Sequence, residues 1–218
     1  MKPTVLCLML SSIDGRLHPS RFTTSPDGDP KAWGEVYEEL HDALNGDAWM
    51  VGRTTMAEMS KAGPHAPAQI PAVERPVHVV AQAASYAVAI DRSGKLHFDG
   101  GTIGGDHVIV LLGRDVPDSH LAELAADGVS YIVADSDPID LAAMLDLLAD
   151  RFGIERLLLE GGGEINGALL AAGLVDELHV VVAPALDAGV GVQGIVAYHE
   201  GLRGKSTLTL LQAETLEY

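Results

Sequence analysis

The sequence predicts an α/β fold: a three-layer sandwich with a mostly parallel sheet and antiparallel C-terminal strands. Three observations carry that expectation. Short apolar runs of strand length alternate with amphipathic helical segments, as in repeated strand–helix–strand units. Several of these runs end in a glycine turn that opens into a helix. The last two strand-like runs, in contrast, have no helix between them, which favours antiparallel pairing.

Residues 4–10 read as a buried first strand, followed by Ser11-Ser12-Ile13-Asp14-Gly15. Beyond a polar loop marked by Pro and Gly, Val36, Leu40 and Leu44 recur at helical spacing until Asn45-Gly46 stops the helix. A short strand over 48–51 meets Gly52 and turns into a helix that a Thr of Arg53-Thr54-Thr55 starts. Residues 61–76 carry Pro64, Pro67, Pro71 and Pro76, so they form a loop or flap, and long loops of this kind tend to be functional.

The β-branched runs 77–81 and 86–90 read as strands ahead of the turn Asp91-Arg92-Ser93-Gly94. A further strand over 107–112 leads to a helix over about 117–126 that stops at Asp127-Gly128. Residues 129–133 are the next strand, and Asp137-Pro138 opens a helix whose apolar face is Leu141, Met144, Leu145 and Leu148. The strand 156–159 ends in Glu160-Gly161-Gly162-Gly163, and the helix after it closes at Gly173. Residues 177–183 and 207–211 are the two C-terminal strands.

Composition limits the function classes. The chain has 218 residues, 47% of them hydrophobic, which suits a single folded domain over 1–218 and excludes a disordered chain. Its 14 Lys and Arg against 31 Asp and Glu give a net charge of −17, which repels nucleic acid and anionic membranes. Any anionic ligand must therefore be held by local donors. One cysteine, Cys7, cannot form an internal disulfide, and no apolar run reaches the length of a membrane span, so a cytoplasmic protein is expected. The nine histidines show neither H-E-x-x-H nor a tight cluster, and no metal site is expected.

In open α/β sheets, ligands bind at the carboxyl ends of parallel strands, where helix N-termini and free amides collect. Three segments occupy that position. Gly161-Gly162-Gly163 lets backbone amides approach a pyrophosphate, although a tight turn with positive φ needs the same glycines. Gly52-Arg53-Thr54-Thr55 offers a guanidinium, two hydroxyls and the amides of a helix start, or simply a cap beside a solvent-facing Arg. Asp14 can orient a substrate or form an Asx turn with Gly15. Glu160, at the end of an apolar strand, is partly desolvated and able to pair with donors on a bound heterocycle, or to form a structural salt bridge.

Four runs carry a resemblance over nearly the whole chain: Met9-Leu-Ser-Ser-Ile-Asp-Gly-Arg-Leu17, Met50-Val-Gly-Arg-Thr-Thr55, Asp91-Arg-Ser-Gly-Lys-Leu96 and Leu157-Leu-Leu-Glu-Gly-Gly-Gly-Glu-Ile-Asn-Gly-Ala-Leu169. The last, continued through Gly173-Leu-Val-Asp-Glu-Leu178 and Val182-Ala-Pro184, is the most specific. Together they resemble the dihydrofolate-reductase-like superfamily and, within it, the C-terminal reductase domain of the bifunctional riboflavin-biosynthesis deaminase/reductase. The resemblance implies NADPH-dependent hydride transfer, as in 5-amino-6-(5-phosphoribosylamino)uracil reductase, to a pyrimidine ribosylamine 5′-phosphate or a related nitrogen heterocycle.

It also implies roles for residues. Ser11, Thr55 and the turn Gly162, Gly163, Glu164, Ile165 and Asn166 fall against the cofactor, with Gly161 beside them. Gly52 and Arg53, with Thr54, cradle its phosphates. Glu160 contacts the substrate, Asp14 lies near the nicotinamide, and these two are the candidate catalytic carboxylates. A homodimer is implied as well.

Three departures accompany the match. The zinc deaminase signature H-x-E with P-C-x-x-C is absent, so a stand-alone reductase is implied. Residues 59–67 replace an acidic-Pro segment that shapes the substrate pocket in riboflavin enzymes, and the first strand lacks a Lys that many of them carry. The alternatives are a dihydrofolate-reductase-like or imine reductase of another substrate, an S-adenosylmethionine site, and a nucleotide-binding protein without turnover.

Overall fold

The computed structural model describes residues 1–66 and 73–216. Its elements are β1 (Thr4–Ser12), α1 (Pro30–Leu44), β2 (Ala48–Gly52), α2 (Arg53–Ser60), β3 (Val77–His78), β4 (Tyr86–Asp91), β5 (Thr102–Ile103), β6 (Asp106–Leu112), α3 (Asp118–Ala126), β7 (Ser130–Val133), α4 (Leu141–Phe152), β8 (Arg156–Leu159), α5 (Gly163–Ala171) and β9 (Glu177–Ala183). A short 3-10 turn spans Pro19–Arg21. The chain partitions into two compact units: Met1–Thr4 with Gly46–Leu157, and Val5–Asn45 with Leu158–Tyr218.

The first unit holds strands in the order β3-β7-β6-β4-β2, with β5 paired to β6. The pairings β2·β4, β4·β6 and β6·β7 are parallel, and β3·β7 and β5·β6 are antiparallel. Val108 to Leu111 in β6 and Ala87 to Ala89 in β4 are almost fully buried, as expected of parallel strands covered on both faces. Asp47 fixes the start of β8 by accepting the amides of Glu155 and Arg156 at 2.9 and 2.8 Å. Helix α4 starts at Asp140, whose side chain accepts the amide of Ala143. Asp137-Pro138 therefore precedes that helix and does not open it.

In the second unit β1 and β9 pair in parallel, with Leu6 opposite Glu177 and Ser12 opposite Ala183. This corrects the expectation of antiparallel C-terminal strands. Residues 207–211 form no strand and are exposed, so β9 has no C-terminal hairpin partner, and α5 instead links β8 to β9 by a helical crossover. Among the named strands, the antiparallel pairings lie at β3 and β5, both short. The apolar run 77–81 contributes only Val77 and His78 to a strand.

Helix α1 begins where Asp29 accepts the amides of Lys31 and Ala32, with Pro30 in its first turn, a cap that stabilises a helix by about 1 kcal/mol. It ends at Asn45 in the left-handed conformation (φ 48°). Trp33 and Leu44 are its buried residues. Trp33 packs with Ala183 and Ala185, flanked by Leu10 and Phe22. Of the predicted Val36, Leu40 and Leu44, Leu44 is buried, while Val36 and Leu40 are part-buried, as are Tyr37 and His41. Of the long Pro-marked loop, 61–66 and 73–76 are irregular, and Pro67 and Pro71 lie outside the described residues. No helix among the described residues is long and apolar enough to cross a membrane.

Candidate active site

Strand β8 delivers Glu160 at its carboxyl end, where the side chain is 13% exposed. Two residues of α1 meet it. His41 Nδ1 lies 2.7 Å from Glu160 Oε1, and Tyr37, one helical turn earlier, also interacts with this carboxylate. Burial opposes charging of His41, but the carboxylates of Glu160, Glu38 and Asp42 prevail and raise its pKa above the usual imidazole range. Burial, then the Glu160 charge, pushes the Tyr37 hydroxyl far above the usual phenol range. Cys7 on β1 is pushed up to about 12, by burial first and Glu160 second, so it remains a thiol and no nucleophile. A desolvated carboxylate with an imidazole beside it is suited to hold N–H donors or move a proton.

The turn after Glu160 runs through Gly161, at φ +106°, and a cis Gly161–Gly162 peptide into α5. Gly162 is the N-cap and supplies no side-chain cap; its carbonyl accepts the Ile165 amide at 3.1 Å, and the amides before it have no side-chain capping oxygen. Gly163 is required by close approach: a Cβ there would collide with the Gly194 carbonyl oxygen. Its own carbonyl accepts the Ala197 amide at 2.8 Å. Glu164 and Ile165 occupy the first turn of α5.

Asn166 is fully buried and donates to the Ile195 carbonyl at 2.8 Å and to Met9 Sδ at 3.1 Å. Its Oδ1 is buried with no hydrogen-bond partner.

Residues 192–197, which the sequence reading passed over, tie this turn to the loop after β1. Ile195 donates to Gly15 O at 2.9 Å, Arg16 bridges to Gly194, and the Arg16 guanidinium bonds the Val192 carbonyl. Ser11 is buried and its hydroxyl donates to Ser12 O at 2.8 Å.

Asp14 is occupied differently from the expectation. Its carboxylate accepts Ser12 Oγ at 2.7 Å and the amides of Asp187 and Ala188 at 3.1 and 2.9 Å, with Arg16 Nε at 3.6 Å. The Ser12 hydroxyl first, then these amides, hold it far below the usual carboxylate range. A carboxylate so committed clamps a loop and is a poor proton carrier.

The other predicted phosphate segment lies in the first unit. Gly52 is the N-cap of α2 and, like Gly162, provides no side-chain cap. Thr54 and Thr55 therefore sit inside the helix and do not start it. Arg53 is exposed, and no acidic group among the described residues pairs with it.

His41 and Tyr37 are not among the residues that the helical spacing of Val36, Leu40 and Leu44 picks out. The i, i+4 series Trp33, Tyr37, His41 was the available signal.

The chain matches the RibD C-terminal domain over residues 3–217. It is 29% identical over 198 residues to a 2,5-diamino-6-ribosylamino-4(3H)-pyrimidinone 5′-phosphate reductase of Methanothermobacter thermautotrophicus, covering 90% of this chain and 84% of that protein. Among solved structures, a pyrimidine reductase-like protein of Corynebacterium diphtheriae aligns with a TM-score of 0.63 at 21% identity, over 99% of this chain and 86% of that one. A deaminase/reductase of Thermotoga maritima aligns at 0.63 and 17% identity over 99% of this chain, which spans 54% of that longer protein. These structures share the α/β fold with its mostly parallel sheet. With a match running from residue 3 to residue 217, the chain belongs to the RibD C-terminal domain family.

Proposed function

We propose that this chain is an NADPH-dependent reductase of a pyrimidine ribosylamine 5′-phosphate in riboflavin biosynthesis. The observation that carries the reading is the Glu160 site: a carboxylate at a strand end, paired with His41 and followed at once by an uncapped helix N-terminus. The archaeal relative named as a ribosylaminopyrimidinone phosphate reductase, matched over 90% of this chain, supports the substrate class.

The residues present fit a dinucleotide cofactor. The open amides of α5 suit a pyrophosphate, and the helix dipole favours its charge. In the first unit, taken by itself, Arg53, unpaired among the described residues in a chain of net charge −17, suits a phosphate, with Gly52, Thr54 and Thr55 beside it in sequence. Bound NADPH supplies the hydride. Glu160 accepts N–H donors of the aminopyrimidine and balances positive charge as the ribosyl ring opens to an imine, while His41 holds that carboxylate in place. Ser11 and Met9, both on β1, are buried.

The proposal includes a homodimer. Strand β9 pairs only with β1 among the described strands and exposes Val180 and Val182, and the tail exposes Leu208, Leu210 and Leu211. Apolar side chains on an edge strand and an extended tail suit a second copy. Light scattering over a range of concentrations is expected to show twice the chain mass, and particles of 22.9 kDa throughout would overturn it.

Titration with NADPH, NADH and S-adenosylmethionine under thermal shift, followed by an NADPH oxidation assay on aminopyrimidine ribosylamine phosphates, tests the function. Selective stabilisation by NADPH with turnover is expected. Stabilisation without turnover on any such substrate would leave a nucleotide-binding protein, and turnover of dihydrofolate instead would make it a reductase of another substrate.

A further inference from the structure

The sequence reading found no tight histidine cluster, yet the first unit assembles one from distant positions. On α3, His120 and Glu123 are i and i+3, and Asp127, at the C-cap, follows at i+7, so all three share one helix face. Against that face lie His97, after β4, and His65, after α2. His97 Nδ1 is 2.5 Å from Glu123 Oε1, His65 Nδ1 is 3.6 Å from the same oxygen, and His65 Nε2 is 2.9 Å from Asp127 Oδ1. One ligand-capable atom from each of His97, His120 and Glu123 lies within 4.8 Å of the other two.

Two features distinguish this cluster from an ordinary surface salt-bridge network. His120 is 6% exposed and Glu123 is 7% exposed, and ionisable groups so deeply buried need strong partners. Yet His120 Nε2 is buried with no hydrogen-bond partner, and so is Asp127 Oδ2. The rings of His97 and His120 meet edge to face with centroids 5.5 Å apart, which brings both imidazoles to the same carboxylate. A cavity of about 620 Å³ opens beside them, lined in part by His65, His120 and Glu123.

We propose that His97, His120 and Glu123 form a binding site for a divalent transition-metal ion of the zinc class, with its remaining position open to water in the cavity that His65 lines. Two imidazoles and one carboxylate are a donor set that zinc prefers and that magnesium and calcium do not. Zinc bonds near 2.0–2.2 Å to nitrogen and oxygen place tetrahedral ligand atoms roughly 3.3 Å apart, so His97 and Glu123 need to separate by less than about 1 Å. The contact between His97 Nδ1 and Glu123 Oε1 gives way to bonds from each to the ion. Bound there, the ion joins the segment after β4 to α3 in place of weaker hydrogen bonds. None of these residues belongs to the proposed reductase site, and the inference does not depend on that reading.

The test uses the full chain purified without a histidine tag and stripped with a chelator. Zinc is titrated by equilibrium dialysis, and cobalt(II) by its visible ligand-field absorption. One ion per chain is expected, with a rise in thermal midpoint. Loss of an outer-shell partner alone weakens metal binding by about 10- to 100-fold, so H97A and H120Q are each expected to weaken it by about 100-fold or more and to abolish the cobalt bands. H199A, at an exposed histidine outside the cluster, is the control and is expected to bind like the parent.

H97A carries the decision if H120Q fails to fold, because His97 is at the edge of the cluster and 18% exposed. Absence of stoichiometric zinc, or equal affinity in the parent and H97A with native circular dichroism in both, overturns the proposal. The response to NADPH is measured on the same samples, so failure of the metal site and failure of the reductase reading are separate results.

Discussion

His41 and Glu160, 119 residues apart in sequence, face each other with Nδ1 and Oε1 2.7 Å apart, the imidazole on α1 and the carboxylate at the end of β8. Neither group would be well placed alone. The carboxylate lowers the cost of a charged imidazole in a part-buried place, and the imidazole keeps one carboxylate oxygen from drifting to solvent. In the proposed reductase, the pair therefore orders the side chain that meets the substrate.

Replacing Glu160 by Gln keeps the size and removes the charge. We expect kcat/KM to fall by about 100-fold, the lower end of what positioned acid or base groups contribute. A pH signature goes with it. His41 has a raised pKa in the folded chain, so its contribution to stability is full below the unfolded imidazole value and is lost as pH rises through the folded value. In E160Q that decline is expected to shrink, read as a flatter dependence of the urea midpoint on pH above the ordinary imidazole range. An unchanged slope would mean that Glu160 does not set the charge on His41.

Much of this was legible in the sequence, for physical reasons that differ by element. The bounds of β8 and β9 follow from runs of Leu and Val between polar turns, and Asp29-Pro30 with Asn45-Gly46 mark α1 at both ends. Glu160 and the glycine turn stood out because a charged residue ending a buried strand is costly without a purpose. What the sequence did not disclose depends on tertiary placement. The direction of β9 depends on which strand it joins, the inward face of α1 depends on Glu160 waiting for His41, and the role of Asp14 depends on the amides of residues 187 and 188. Local pattern carries none of these partners.

Asp14 is expected to act on stability more than on chemistry. Its pKa is depressed in the folded chain, so its contribution is present above the unfolded carboxyl value and is lost only as pH falls through the lower folded value. D14N removes the charge that the amides of Asp187 and Ala188 meet, and a lower thermal midpoint at neutral pH is expected, with a smaller loss of kcat than in E160Q. A loss of kcat as large as that of E160Q, with the midpoint unchanged, would restore Asp14 to the chemistry.

Two neighbouring glycines separate folding from cofactor binding. G163A drives a Cβ into the Gly194 carbonyl and is expected to destabilise the chain by about 1–3 kcal/mol or more, seen in the denaturant midpoint. At Gly162, φ is −64° and nothing lies within 4 Å of an added Cβ, so G162A loses at most about 1 kcal/mol, the ordinary difference between Gly and Ala at an N-cap. Its added methyl instead crowds the amides offered to a phosphate. NADPH affinity is expected to fall about 10-fold in G162A if those amides hold the pyrophosphate, since each hydrogen bond to a charged group contributes about 1.5–3 kcal/mol. Unaltered affinity would move the phosphate elsewhere.

Arg53 tests the second uncapped helix start on its own. It is exposed at the beginning of α2, and removing it exposes no buried partner, so R53A is expected to leave the unfolding midpoint within about 0.5 kcal/mol of the parent. Against that constant background any effect on ligand belongs to the lost guanidinium. A charge-assisted bond to a phosphate is expected to raise KM for NADPH by about 10-fold or more with kcat little changed, because the contact is made equally in the ground and transition states. The comparison with NADH locates the phosphate. If Arg53 meets the 2′-phosphate, R53A narrows the preference for NADPH over NADH; if it meets the pyrophosphate, both cofactors weaken together; and if neither changes, the open N-terminus of α2 is no cofactor site.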